Sequence, residues 1–154
     1  MVFRYAFRAL AADYLGGGAG LALTLGVVVF ARPAVPAAGA LAAAALLFFV
    51  YFVRTACRQL TQFQLDDAGL RAKGPLGGVI RWDELRSLRL DYFSTRADRE
   101  GGWMQLRLRD AQRTIRIDSG LEGFDEFVRQ AVDEAARRGL PLDAATVANL
   151  EALR

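Results

Sequence analysis

The chain has 154 residues, a net charge of +3 and a 53% apolar fraction, which leaves room for one soluble domain once two long apolar segments are set aside. Histidine is absent and Cys57 is the only cysteine, so imidazole acid–base chemistry, thiolate metal clusters and intramolecular disulfides are excluded. Basic charge is almost entirely arginine, Lys73 being the single lysine, and the abundance of Ala and Gly is that of a high-GC bacterial chain.

Phe3, Phe7, Leu10 and Tyr14 recur at helical spacing, with Arg4 and Arg8 off that stripe. They read as a short amphipathic lead lying in the headgroup region. Two apolar runs follow, residues 14–31 and 35–53, separated by Arg32-Pro33-Ala34. Each approaches the roughly 20 residues that cross a bilayer at 1.5 Å rise per residue. No small-x-small cleavage site follows the first run before Arg32-Pro33, and a second apolar run comes directly after, which disfavours a secretory signal peptide. Pro33 and Pro36 break the helix at the turn and start the next one. Arg4 and Arg8 precede the first run, Arg54 and Arg58 follow the second, and the turn carries only Arg32. The positive-inside rule then puts both termini in the cytoplasm, with Arg4, Arg8, Arg54 and Arg58 as interfacial anchors and Tyr14 and Tyr51 at the same interface. Gly16, Gly20 and Thr24 form one small-residue face, and Ala38 and Ala42 offer another on the second helix; such faces drive helix packing in lipid. Gly18, Ala22 and Gly26 make a second stripe that leaves room for another copy or another membrane protein. Neither run contains a charged residue, which argues against an ion path.

From residue 60 the period changes to two. Residues 60–65 read as a strand closed by the turn Asp66-Asp67-Ala68-Gly69. Residues 70–73 and 79–82 flank Gly74-Pro75-Leu76-Gly77-Gly78. Pairing Lys73 with Val79 sets Leu70 opposite Trp82, Ala72 opposite Ile80 and Arg71 opposite Arg81. A strand over 85–92 and a polar loop over 94–102 follow. Strands over 103–109 and 113–118, joined at Ala111-Gln112, set Leu108 opposite Ile115, Leu106 opposite Ile117 and Arg107 opposite Arg116. The period then becomes 3.6. Ser119 and Glu122 have capping-box spacing. Phe124, Phe127, Val128, Ala131, Val132 and Ala135 line one helix face as far as Arg138, and Gly139 before Pro141 ends the helix. A last helix over 143–153 has Asp143 as its N-cap. Trp82 and Trp103 read as core or rim residues.

The strand–turn–strand Leu65-Asp66-Asp67-Ala68-Gly69-Leu70, the step Ile80-Arg81-Trp82-Asp83-Glu84-Leu85, and the run Ile115-Arg116-Ile117-Asp118-Ser119 into the Phe124/Phe127 helix resemble the bacterial pleckstrin-homology-like (PH-like) domains. The whole is similar to small bacterial membrane proteins in which a two-helix hairpin precedes such a domain. The resemblance implies an α+β membrane protein. Residues 1–58 would be the lead and transmembrane hairpin, 59–140 a cytosolic PH-like antiparallel sheet or barrel capped by a helix, and 141–154 a short C-terminal helix. It also implies binding or scaffolding rather than catalysis, on a multi-pass protein of the bacterial inner (cytoplasmic) membrane.

Like charges directly across a strand pair are destabilising, so a carboxylate or a bound anion should offset them. PH-like folds often bind acidic ligands near the first hairpins, which by resemblance makes Arg71, Lys73 and Arg81 the first candidates, with Arg107, Arg109 and Arg116 extending the basic face. The competing reading is that Asp66, Asp91 and the acidic C-terminal helix screen these charges. Residues 54–117 hold 13 basic and 8 acidic groups, whereas 118–154 hold 4 and 8. No GxSxG, Walker A, HExxH or CxxC motif occurs, and no catalytic residue, cofactor, metal ligand or nucleic-acid surface is assigned. The reading is a membrane-anchored adaptor or scaffold that binds a protein partner, associates through its small-residue faces or organises a membrane complex. The alternatives are an anionic-phospholipid sensor and an accessory subunit of a membrane enzyme or transporter.

Overall fold

The computed structural model describes residues 1–75, 77–94 and 102–153. The loop expected over 94–102, with Arg96, Asp98, Arg99 and Glu100, lies almost wholly outside the described residues. The chain is α+β, with two long apolar helices near the N-terminus and two antiparallel sheets. It divides into two compact units, one of Ala6–Leu60 and one of Met1–Tyr5 with the residues from Thr61 onward.

This division differs from the one expected, and the first five residues are the reason. Val2–Arg4 is a strand, β1, not the start of an amphipathic helix. It pairs antiparallel with β2 (Gln62–Leu65), setting Phe3 opposite Phe63 and Arg4 opposite Gln62. Exposure alternates along β1, with Phe3 and Tyr5 buried and Val2 and Arg4 outward. That is the period of a strand with one buried face. Phe3 meets the Phe127 ring edge-to-face at 5.1 Å, and Tyr5 meets Phe63 at 6.2 Å. The Tyr5 hydroxyl accepts the Asp118 N–H at 3.1 Å.

The four-stranded sheet has the order β1-β2-β3-β4, with β3 Gly69–Lys73 and β4 Gly78–Arg81. Asp66 closes the β2–β3 turn, its carboxylate accepting the Ala68 and Gly69 N–H groups at 3.0 and 2.9 Å. The β3–β4 register lies two residues from the expected one: Leu70 faces Ile80, Arg71 faces Val79 and Gly69 faces Arg81. A shift of two keeps the same residues inward. Trp82 leaves the ladder, turns into a 3₁₀ segment (Trp82–Glu84) and donates its indole N–H to the Asp66 carbonyl at 2.8 Å. Gly69 is needed here, because a Cβ would run into the Ile80 carbonyl.

The second sheet has the order β5-β6-β7 (Ser87–Phe93, Trp103–Arg109, Thr114–Asp118). Its β6–β7 register is the expected one, including Arg107 opposite Arg116. Asp110 fixes the turn: its buried carboxylate accepts the Gln112 and Arg113 N–H groups at 2.6 and 2.7 Å. These bonds hold its pKa below the usual carboxylate range.

Two helices complete this unit. The first, Phe124–Arg137, buries Phe124, Phe127, Val128, Ala131 and Ala135. The capping box does not form; Gly123, with φ of +71°, precedes the helix, and the Ser119 hydroxyl instead accepts the Met104 N–H. Gly139 ends it at φ +68°, where the Leu140 N–H reaches the Ala135 carbonyl at 3.0 Å. The second, Ala144–Ala152, is capped by Asp143 as expected, through the Thr146 N–H at 2.8 Å. It is not a separate element. Buried Thr146 accepts the Leu90 N–H and Asn149 donates to the Leu90 carbonyl, at 3.1 and 2.8 Å. Leu90 lies on the edge strand β5, so these side chains satisfy an edge that would otherwise be open to another chain.

The other unit is a helical hairpin, α1 (Phe7–Ala31) and α2 (Val35–Leu60), both long and apolar enough to cross a membrane. Their most apolar windows are only 11% and 6% buried, unlike the core helices of a soluble protein. Aromatic rings of α2 pack over small residues of α1: Phe48 lies over Gly20, Tyr51 over Gly17 and Phe52 beside Gly18. Gly20 and Thr24 therefore belong to the seam, Thr24 being buried with its hydroxyl donating to the Gly20 carbonyl at 2.8 Å. Gly16 and Ala42 do not: both are exposed, and a Cβ at Gly16 would meet nothing. Ala38 is half-buried, and Ala45, about two turns further on, is buried. The hairpin ends in a polar clamp that the sequence reading lacked. Asp13 accepts the Tyr51 hydroxyl at 2.6 Å and lies 3.5 Å from Arg58, while Tyr14 donates to Gln59 at 2.6 Å.

Because Phe3 is buried opposite Phe63 and packs on Phe127, truncating it should cost about 3–5 kcal/mol. Val2, 50% exposed on the same strand, is the control. In chemical unfolding of the full chain in detergent, Phe3→Ala should lower the midpoint sharply and Val2→Ala should leave it nearly unchanged. Equal effects would mean that β1 is not part of the core.

Candidate binding face

Strand parity decides which cations share a surface. On the first sheet, the pairings place Val2, Gln64, Arg71 and Val79 in one cross-strand row and Arg4, Gln62 and Lys73 in the next. All point away from the buried face that carries Phe3, Phe63, Leu70, Ala72 and Ile80. This outer face holds Arg81 at the end of β4 and three further cations, Arg4, Arg71 and Lys73, and its strand residues include no carboxylate. Arg4 and Lys73 are two strands apart, about 10 Å, and Arg71 is about 7 Å along the strand from Lys73. Among the described residues, none of the three takes part in an ion pair. Arg4, expected as an interfacial anchor beside Arg8, is thus a sheet residue, and it is the cation that sequence reasoning left out of the basic face.

Arg81 sits at the end of β4 and is neutralised locally. Its guanidinium donates twice to Asp83, at 3.0 and 2.8 Å. This fork raises the Arg81 pKa and holds the Asp83 carboxyl below the usual range. The expected opposition of Arg71 and Arg81 does not occur, since Arg71 faces Val79.

The other three candidates belong to the second sheet. Arg89, Arg107 and Arg116 stand in one row across β5, β6 and β7. The like-charge stack is offset from within. Asp91, diagonal to Arg107, takes its guanidinium through two donors, and Arg89 reaches Asp143 at 2.9 Å. Thr146 bonds and the Arg89 charge hold Asp143 below the usual carboxylate range. Arg109 and Arg116 are exposed on the same side. Of the six sequence candidates, Arg71, Lys73 and Arg81 share one face, and of these Arg71 and Lys73 are not neutralised by a carboxylate.

Arg8, Arg54 and Arg58, expected as interfacial anchors, lie on the hairpin helices, Arg58 in the last turn of α2. Trp82 is core, and Trp103 is 45% exposed. Of the surface depressions beside Trp82, one is lined by Asp66, Asp67, Asp133 and Glu134 against Arg137 and so has the wrong sign for anions, and another balances Asp83 with Arg138. Among the described residues, no group of three or more Cys, Asp or Glu side chains could hold a metal ion. No family model matches the chain, and no curated protein or solved structure matches it.

The Asp91 carboxylate is the offset for the arginine row. Asp91→Asn should lower stability by about 1–2 kcal/mol at low ionic strength, and the loss should shrink in 1 M salt, where screening acts within about 3 Å. Unfolding midpoints at two salt concentrations check this; a loss independent of salt would assign Asp91 a packing role instead.

Proposed function

We propose that this chain is a non-catalytic, membrane-anchored binding module. In this reading α1 and α2 cross the bilayer as a hairpin, and the β unit stands at the cytoplasmic face. Its acid-free face of Arg4, Arg71 and Lys73 meets anionic phospholipid headgroups. The observation that carries the reading is the absence of any carboxylate among the strand residues of that face, whereas Arg81, Arg89 and Arg107 are tied to Asp83, Asp143 and Asp91. Cations left unpaired on a strand surface repel one another unless an external anion offsets them.

Two further points support it. Arg4 is three residues from Phe7, where α1 starts, so the chain tethers this row within about 10 Å of the helix end. A surface Lys or Arg near an anionic leaflet contributes about 1 kcal/mol. Topology agrees as well. Residues 1–5 fold with those from Thr61 onward, so a bilayer between them must be crossed an even number of times. The arginine bias then selects the cytoplasmic side. An adaptor holding a protein partner, on a PH-like scaffold, is the second reading; a Cβ at Gly16, Gly26 or Gly39 would meet nothing among the described residues, which leaves small-residue surfaces for another helix.

Val79 is exposed and shares a row with Arg71, so it can report on the face. A polarity-sensitive dye at Val79→Cys, in a Cys57→Ser background, is read in nanodiscs of neutral or anionic lipid. The expected result is a blue shift in anionic discs, reversed by 0.5 M salt, about one Debye length of 4 Å. The shift should be lost in an Arg4/Arg71/Lys73→Gln variant. Identical emission in both lipids would remove the headgroup reading and favour the partner-binding one.

A further inference from the structure

The β5–β6 hairpin ends in aromatic side chains that nothing described in this chain covers. Phe93 and Trp103 stand opposite each other across the strand pair. Their rings stack at 4.6 Å with planes 21° apart, although they are 40% and 45% exposed. Tyr92, also 44% exposed, lies over Gly102, where any Cβ would run into its ring. Phe93 and Trp103 on one face of the hairpin end and Tyr92 on the other, all open to the surroundings, are unusual on a soluble sheet and mark a contact surface.

Hydrogen bonds locate this tip relative to the point where the chain leaves for α1. The Phe93–Trp103 row is one step beyond the row of Asp91, Gln105 and Asp118. The Asp118 N–H donates to the Tyr5 hydroxyl, and Tyr5 also bridges to Leu121. Met104, next to Trp103, accepts the Ser119 N–H at 2.8 Å. The tip is thus about two strand spacings and one strand step from Tyr5, on the order of 15 Å. Tyr5 is itself two residues before the first residue of α1.

We propose that Tyr92, Phe93 and Trp103 form an interfacial aromatic anchor that dips into the headgroup layer of the leaflet from which the hairpin starts. The inference rests on the reading of α1 and α2 as bilayer spans. The chemistry fits the occupant: Trp and Tyr present an apolar ring with a polar handle and concentrate at the membrane–water boundary. The neighbouring carboxylate Asp91 is taken up by Arg107, so it does not hold the tip away from an anionic surface. A short tether to a spanning helix makes the bilayer the surface this tip meets at highest effective concentration.

The chain carries two tryptophans, and Trp82 is buried, which makes Trp103 a natural probe. The full chain is reconstituted into phosphatidylcholine/phosphatidylglycerol vesicles with or without lipid brominated near the headgroup. Trp103 is isolated in Trp82→Phe; the difference between wild type and Trp103→Phe gives the same signal should Trp82→Phe fail to fold. The expected result is blue-shifted Trp103 emission, protected from aqueous iodide, most of which brominated lipid removes. Water-like emission quenched by iodide would overturn the proposal. So would protection from iodide with no effect of brominated lipid, because protein would then cover the tip. Alkaline extraction of the same vesicles separates the two levels: a chain retained in the membrane confines such a failure to the tip, and a released chain overturns the spanning reading as well.

Discussion

The pairing of β1 with β2 is the contact on which the rest of this protein depends. It joins residues 2–4 to residues 62–65 across the whole of α1 and α2. A flexible loop of that length would oppose the pairing only weakly, since each doubling of loop length adds about 0.6 kcal/mol. Here the loop is not flexible. α1 and α2 pack against each other along a seam of Gly17, Gly20 and Thr24 under Tyr51, Phe48 and Phe52, and the Asp13–Tyr51, Asp13–Arg58 and Tyr14–Gln59 contacts hold their open ends together. A folded hairpin presents its first and last residues side by side. The two strands can then pair with little further loss of chain entropy.

The pairing matters in turn because β1 and the Tyr5 that follows it supply two of the aromatic groups at the centre of the β unit. Phe3, Tyr5, Phe63 and Phe127 make successive edge-to-face contacts at 5.1–6.2 Å, a geometry favoured by the ring quadrupoles. The helical insertion is therefore not an appendage before an independent domain. The β unit lacks part of its core without the residues that precede the insertion. The same arrangement brings Arg4 into the row of Gln62 and Lys73 on the outer face, so one short strand contributes to both the core and the candidate site.

Much of the local structure could be read from sequence because local rules decide it. The Asp66 and Asp110 turns, the Asp143 cap, the Gly139 stop and the β6–β7 register each depend on residues within a short stretch. β1 could not be read that way. Val2-Phe3-Arg4-Tyr5 alternates, but four residues are too few to outweigh the helical spacing of Phe3 with Phe7, and the partner strand lies far away in sequence. The β3–β4 register was ambiguous for another reason. A two-residue shift leaves the inward set unchanged, and the choice rests on Trp82 reaching the Asp66 carbonyl and on Gly69 fitting beneath the Ile80 carbonyl. In Gly16-Gly17-Gly18 every residue is small, so only the position of the α2 rings selects Gly17. The candidate site was half legible. Arg71 and Lys73 follow from strand alternation, Arg4 required β1, and the neutralisation of Arg81 and Arg107 required the positions of Asp83 and Asp91.

The central claim is tested by a cross-link between the two strands. Val2 and Gln64 are directly opposed, and opposed antiparallel residues have Cα atoms about 4.5–5.5 Å apart, within the roughly 4.4–6.8 Å a disulfide spans. With Cys57→Ser, a Val2→Cys/Gln64→Cys variant of the full chain should oxidise readily in native membranes to an intramolecular disulfide, seen as a faster-migrating band that reductant reverses. A Val2→Cys/Lys73→Cys control, with the two positions in different rows and two strands apart, should not. Failure of the first pair to cross-link in a folded chain would contradict the closure of the sheet across the hairpin.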